Sequence, residues 1–168
     1  MLTHGPRQAH VWLIFDVSRN MNIPAEEVVR ARIDEAAAHF LAAHDHLLRV
    51  RASERAMCHK FGEMLQPLFP DWSVDCEFNR NGEAPKRIAW IPFTKDRSVF
   101  PDIIVHHRGV PENLVVIEAK CSDARDEEIR EDIVKLEAYV AELNYVYSVL
   151  LTFTVGQAPN VTFQLKKG

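Results

Sequence analysis

Residues 114–121 read LVVIEAKC, an apolar run of β-strand length that carries one acid and one lysine near its end. Because side chains alternate between the two faces of a strand, Val116, Glu118 and Lys120 share one face, and the residues between them face the core. A strand this apolar is predicted to be central in its sheet. A charge in such a place is costly unless it is paired or bound to a metal, so Glu118 and Lys120 each need a partner.

Two interpretations of this pair are open. Glu118 and Lys120 could form a structural ion pair with each other, or they could belong to a functional site at the end of the strand. Asp102 favours the functional site, because it precedes the apolar run IIV and a short connection, RGVPEN (108–113), then returns the chain to LVVIEAK. The two strands are therefore predicted to be neighbours, and a shear of their register would bring Asp102 near Glu118. An aspartate after a proline can also simply cap the start of a strand.

Two carboxylates and a backbone carbonyl would form an oxygen-rich site for a hard cation. Mg²⁺ takes such ligands and keeps water molecules and substrate phosphate oxygens in the rest of its shell. The cation would polarise a phosphate and lower the pKa of a bound water. Lys120 would orient that water or stabilise the charge that develops on the phosphate.

The proline–aspartate pair ending at Asp102, followed by Glu118-Ala119-Lys120 at the end of an apolar strand, resembles the motif of the PD-(D/E)XK nuclease superfamily. The resemblance implies the restriction-endonuclease-like fold, an α/β fold with an αβββαβ core, here from about residue 53 to 154. It implies that Asp102, Glu118 and the backbone carbonyl of Ala119 bind the metal and that Lys120 takes part in catalysis.

The helices on either side supply further candidates. Many members of the superfamily carry a glutamate on the first core helix, and Glu54 occupies that place, where the resemblance makes it a catalytic-site residue and a further ligand of the metal or its water. Glu54 also follows Ser53 and fits an ordinary acid in the first turn of a helix. Asp132, Lys135 and Tyr139 lie within two turns of the later helix. Lys135 and Tyr139 keep the four-residue spacing of a polar residue and a tyrosine in some members, although no glutamine precedes the tyrosine, and both are predicted to contact the substrate.

The hydrophobic spacing predicts the order of elements along the chain. Helices are expected over 24–50, 53–69 and 126–143, and strands over 73–79, 87–93, 102–107, 114–121, 147–154 and 161–166, with a turn at Asn81-Gly82. This order indicates a mixed sheet flanked by helices, with 161–166 as its edge strand. Residues 51–168 are predicted to form the nuclease-like domain. Residues 1–50, which include the apolar segment VWLIFDV and the first helix, are predicted to be an N-terminal helical extension for homodimerisation or partner docking.

Composition limits the classes of function. The chain has 168 residues, enough for one domain, and its formal net charge of -4 argues against a protein that coats nucleic acid through bulk charge. A nucleic-acid enzyme with a local basic rim remains compatible with this charge. The basic residues expected near strand ends are Lys86, Arg87, Lys95, Arg97 and Arg108. Arg108 is predicted to contact phosphate, and the alternative is that these residues form a solvated surface.

The cysteines and the apolar segments indicate the compartment. The three cysteines, Cys58, Cys76 and Cys121, are an odd number without CxxC spacing, which favours reduced thiols. No stretch approaches the ~20 apolar residues of a membrane span. A cytoplasmic protein without a membrane partner is the expectation.

These observations together predict a Mg²⁺-dependent phosphodiesterase, with Mn²⁺ as a substitute cation and DNA favoured over RNA as the substrate of an endonuclease. The main alternative is a non-catalytic protein of the same fold that serves as a nucleic-acid-binding or assembly subunit. Two further alternatives are an enzyme acting on RNA and a protein-interaction domain whose charged cluster is incidental.

Overall fold

The computed structural model describes residues 23–89 and 98–168 and shows a mixed α/β fold. Its helices are α1 (Glu26–Arg49), α2 (Glu54–Leu65) and α3 (Asp126–Leu143), and a short 3-10 helix, Gln66–Leu68, follows α2. Its strands are β1 (Ser73–Cys76), β2 (Arg80–Asn81), β3 (Ala84–Pro85), β4 (Ile103–His107), β5 (Glu112–Cys121), β6 (Tyr147–Thr154) and β7 (Asn160–Lys167). In these two ranges, none of the helices combines the length and the apolar character needed to cross a membrane.

Five strands form one sheet in the order β1-β4-β5-β6-β7, while β2 and β3 form a separate hairpin. The central strand β5 is antiparallel to β4 and parallel to β6. A parallel neighbour needs a crossover connection, and α3 provides it between β5 and β6. The structure therefore confirms the predicted mixed sheet flanked by helices, with the last strand at its edge.

From Val115 to Ala119 the side chains of β5 alternate between the two faces of the sheet, as predicted, and each face has its own apolar layer. Val115 and Ile117 are fully buried in the larger layer, which also contains the apolar faces of α1 and α2. Val116 is fully buried in the smaller layer, against α3. Glu118 and Lys120 continue the series of Val116, so both begin on the α3 side of the sheet. The two charged residues near the end of the central strand therefore lie on the side of the sheet that α3 covers.

Two predicted elements end earlier than expected, each for a local reason. The helix predicted over 53–69 tightens into the 3-10 helix around Pro67, which lacks the N–H that would continue an α-helix. The strand predicted over 73–79 ends at Cys76, because Glu77 adopts a φ of 51° and turns the chain out of the extended conformation. Both differences shorten an element without changing the order.

The segment after β1 differs more from the prediction. Gly82, with a φ of 59°, forms the turn of the β2–β3 hairpin, as predicted. The strand predicted over 87–93 is represented by an isolated bridge between Arg87 and Ser98, and residues 90–93 lie outside the described residues.

Helix α1 packs against α2 and β7 and belongs to the larger core layer. Ile33 and Phe40 are fully buried, and the ring of Phe40 lies 5.4 Å from that of Phe153. The apolar stripe of α1 is therefore covered by this chain's own sheet. The division of the chain at residue 50 stays a prediction, and the segment VWLIFDV (11–17) lies outside the described residues.

The hydroxyl of Tyr147 connects β6 to the start of α1, because it donates a hydrogen bond to the carbonyl of Pro24 at 2.8 Å. Tyr147→Phe should lower the free energy of unfolding by about 1 kcal/mol, measured by urea denaturation, since it leaves that carbonyl without its partner. Tyr145→Phe is the matched control. The hydroxyl of Tyr145 is buried and has no hydrogen-bond partner among the residues that the structure describes, so its removal should leave stability unchanged or raise it. Equal losses in the two variants would contradict this expectation.

Candidate active site

Asp102 lies beside Glu118 because of the way β4 pairs with β5. Ile103 pairs with Ile117, so the antiparallel register places Asp102 next to Glu118 without the shear that the sequence suggested. Asp102 Oδ2 accepts a hydrogen bond from the backbone N–H of Ala119 at 2.8 Å. The two motifs found in the sequence therefore meet at one end of this pair of strands.

Glu118 is 3% exposed and has partners on α3. The hydroxyl of Tyr139 donates to Glu118 Oε1 at 3.0 Å, and Lys135 Nζ lies 3.9 Å from Oε2. Burial raises the pKa of Glu118 well above its usual range, and the charge of Asp102 adds to the increase. Burial also raises the pKa of Asp102, against the opposing effect of the N–H of Ala119, and the two carboxyl groups lie close enough to share a hydrogen bond. Holding both of them ionised is therefore costly without a cation.

Lys120 Nζ is surrounded by oxygen atoms. It lies 2.7 Å from Asp132 Oδ2, 3.3 Å from Glu54 Oε1 and 3.2 Å from the carbonyl oxygen of Ala119. Burial disfavours the ammonium form, but the close ion pair with Asp132 and the charge of Glu54 outweigh it and raise the pKa of Lys120. Lys120 is thus a fixed positive charge at the site.

Glu54 reaches the site from the first turn of α2. Ser53 caps this helix by accepting the N–H of Ala56, so Glu54 also has the position of an ordinary first-turn acid. Its Oε1 contacts Lys120 and its Oε2 accepts the N–H of Cys121 at 3.2 Å. Burial, with a contribution from Asp102, raises the pKa of Glu54, and Lys120 opposes this change. The side chain is therefore directed to the end of β5.

Helix α3 brings three residues to the site. Tyr139 and Lys135, both predicted substrate contacts, face Glu118. The third is Asp132, to which the sequence motifs assign no role. Its side chain is 1% exposed, and it binds Lys135 at 2.6 Å as well as Lys120. Its position three residues before Lys135 and seven before Tyr139 is the signal that could have placed it on the same face of the helix.

The structure does not bring Arg108 to this cluster. Arg108 follows β4 at the end of the strand opposite to Asp102, and its guanidinium forms a bidentate pair with Asp75. Asp75 also accepts from His106 Nε2 at 2.9 Å. Lys86 is fully buried, whereas the sequence analysis placed it either in a basic rim near strand ends or on a solvated surface. Lys95 and Arg97 lie outside the described residues.

Two clefts adjoin Glu54 and open the site to solvent. One, of about 600 Å³, is lined by five carboxylates and by Lys120 and Lys135. The other, of about 730 Å³, is lined by Asp102 together with Cys58, Cys76 and the neighbouring part of α2. Lys120 therefore borders the first cleft, Asp102 borders the second, and Glu54 borders both.

The donor set fits a hard divalent cation. Asp102, Glu118 and the carbonyl of Ala119 offer oxygen atoms, which Mg²⁺ prefers. The cluster contains two ammonium groups, those of Lys120 and Lys135, and four carboxyl groups, those of Asp102, Glu118, Glu54 and Asp132. When all six groups are ionised, the cluster has two excess negative charges, which one divalent cation neutralises. Within residues 23–89 and 98–168, however, no three His, Cys, Asp or Glu side chains already converge as a metal site.

No family model, curated protein or solved structure matches this chain.

Proposed function

We propose that this chain is a Mg²⁺-dependent phosphodiesterase of the restriction-endonuclease-like fold, an endonuclease whose favoured substrate is DNA. The observation that carries the proposal is the meeting of Asp102 and Glu118 at the end of the strand pair, with Lys120 two residues further along the same strand. The order of elements supports it. If the β2–β3 hairpin is set aside, the chain from α2 to β6 runs αβββαβ.

Asp102, Glu118 and the carbonyl of Ala119 would hold Mg²⁺, and Glu54 would support its shell; Mn²⁺ would substitute. When bound, the cation polarises the phosphate and lowers the pKa of a water molecule. The chain itself holds these oxygen atoms in place. The N–H of Ala119 fixes Asp102, and the hydroxyl of Tyr139 fixes Glu118.

Lys120 would stabilise the charge that develops on the phosphate or orient the attacking water. Its neighbours Asp132 and Glu54 keep it protonated, so it acts as a cation and not as a base. Lys135, whose side chain is 29% exposed, faces the same cleft and would contact a phosphate oxygen. Arg108 takes no part in this proposal, because it lies at the other end of β4.

The test is cleavage of supercoiled plasmid DNA by the purified chain with Mg²⁺ or Mn²⁺. We expect nicking that EDTA abolishes and that Asp102→Ala lacks. Glu137→Gln, an exposed position on α3 outside the cluster, should cleave like the wild type. Cleavage by Asp102→Ala at the wild-type rate would contradict the proposal, because the activity would then come from elsewhere.

A second candidate function is nucleic-acid binding or assembly without chemistry. It is favoured by the lack of a converged three-residue metal site in the described ranges and by the three oxygen atoms that already surround Lys120. It predicts no cleavage of DNA or RNA with any metal and unchanged nucleic-acid affinity in Asp102→Ala.

A further inference from the structure

Asp132 is the carboxylate that links the two lysines of the site. Its Oδ1 lies 2.6 Å from Lys135 Nζ and its Oδ2 lies 2.7 Å from Lys120 Nζ. The side chain is 1% exposed, whereas those of the lysines are 29% and 18% exposed. A buried acid between two cations fixes both of them, since each would otherwise be free to move toward solvent or toward another acid.

We propose that Asp132 is a positioning residue that keeps Lys135 away from Glu118, so that Glu118 is available to a divalent cation. The inference rests on the proposed function. Lys135 Nζ lies 3.9 Å from Glu118 Oε2, beyond hydrogen-bond distance, while Asp132 holds it at 2.6 Å. Among the residues that the structure describes, Glu118 is the other acid within 4.0 Å of Lys135 Nζ, and without Asp132 a direct ammonium–carboxylate pair would compete with the cation.

Asp132 also determines where Lys120 lies. Of the three oxygen atoms around Lys120 Nζ, that of Asp132 is the closest, at 2.7 Å, and those of Glu54 and Ala119 lie at 3.3 and 3.2 Å. An asparagine in place of Asp132 offers one carbonyl oxygen for two ammonium groups, and its amide N–H groups face a cation. The substitution keeps the shape of the side chain and removes its ability to hold both lysines.

The experiment measures the dissociation constants of Mg²⁺ and Mn²⁺ by isothermal titration calorimetry, without any substrate. Asp132→Asn should weaken binding by about tenfold or more, an effect of the size found for supporting residues outside the metal's own ligands. Adding Lys135→Met to that variant should restore most of the affinity, because the competing ammonium is gone. Glu137→Gln, which removes one acid from an exposed position on the same helix, should bind like the wild type.

Four results would overturn the inference. Unchanged affinity in Asp132→Asn would show that Lys135 does not compete, and a loss that Lys135→Met does not reverse would show that Asp132 only supports the local structure. Lys135→Met alone, which keeps Asp132, should raise ion affinity much less than the same substitution does in the Asp132→Asn background; equal gains in the two backgrounds would show that Asp132 does not hold Lys135 away. Wild-type protein that binds neither ion would overturn the proposed function as well, which separates the two failures.

Discussion

Glu118→Gln is expected to abolish DNA cleavage, with a loss on the order of 10³-fold, while the fold stays at least as stable as that of the wild type. The loss should exceed the roughly 100-fold effect of removing a residue outside the metal's own ligands. The amide has the shape of the carboxyl group and can still accept the hydrogen bond from Tyr139. The substitution also removes the charge of the buried member of two adjacent carboxyl groups, whose proximity to each other is unfavourable when both are ionised.

Single-turnover plasmid cleavage and thermal unfolding of the same preparations test this expectation. Lys120→Met provides a second comparison, because it should lose activity but leaves both carboxyl groups in place. If Glu118→Gln lost activity and also unfolded well below the wild-type temperature, Glu118 would be a structural residue and its place in the site would need another explanation.

Lys86→Met is expected to stabilise the protein at pH 6 by up to about 5 kcal/mol, with a difference that shrinks as the pH rises toward 10. Lys86 is fully buried, with the rings of Phe78 and Tyr145 each 5.5 Å from its ammonium and the carbonyl of Phe78 as acceptor at 3.1 Å. Burial lowers its pKa to about 7, and the charge of Asp75 opposes this only in part. A tenfold change in proton affinity corresponds to about 1.4 kcal/mol.

The sign of the pH effect follows from proton binding. Between pH 7 and the ordinary pKa of a lysine, the unfolded chain binds the proton and the folded chain does not, so wild-type stability rises with pH through this window. Below pH 7 both states carry the charge and the folded state bears the full cost of burying it. Urea denaturation at several pH values checks this, with exposed Lys167→Met as the control. A constant difference between Lys86→Met and the wild type would contradict it.

Much of the fold could be predicted from local pattern. The bounds of α3 and β6 agree with the expected ranges of 126–143 and 147–154, because the apolar spacing is regular and Asn144 ends the helix in the left-handed conformation, with a φ of 56°. The placement of Asp102 beside Glu118 could also be predicted, since a short connection makes the two strands neighbours.

The remaining parts of the site depend on contacts that no local pattern contains. Asp132 on α3 forms an ion pair with Lys120 on β5, and this contact becomes visible only when the helix is placed on the sheet. The sequence predicts Lys86 near a strand end; because lysine is rarely buried, nothing in the local pattern indicates its position beside two aromatic rings. The separation of Arg108 from the cluster could have been predicted, because Asp102 precedes β4 and Arg108 follows it, which places them at opposite ends of the strand.

The contact between Lys120 and Glu54 joins residues 66 positions apart, and Cys121 and Glu54 are joined across 67. Closing a loop of this length is entropically costly, and contacts between distant segments generally slow folding. The cluster of charges therefore cannot form in a nascent hairpin or in a single helix. The complete cluster forms only when α2, the strand pair and α3 have all packed together. A chain that has completed only part of its folding would therefore bring together only part of the cluster.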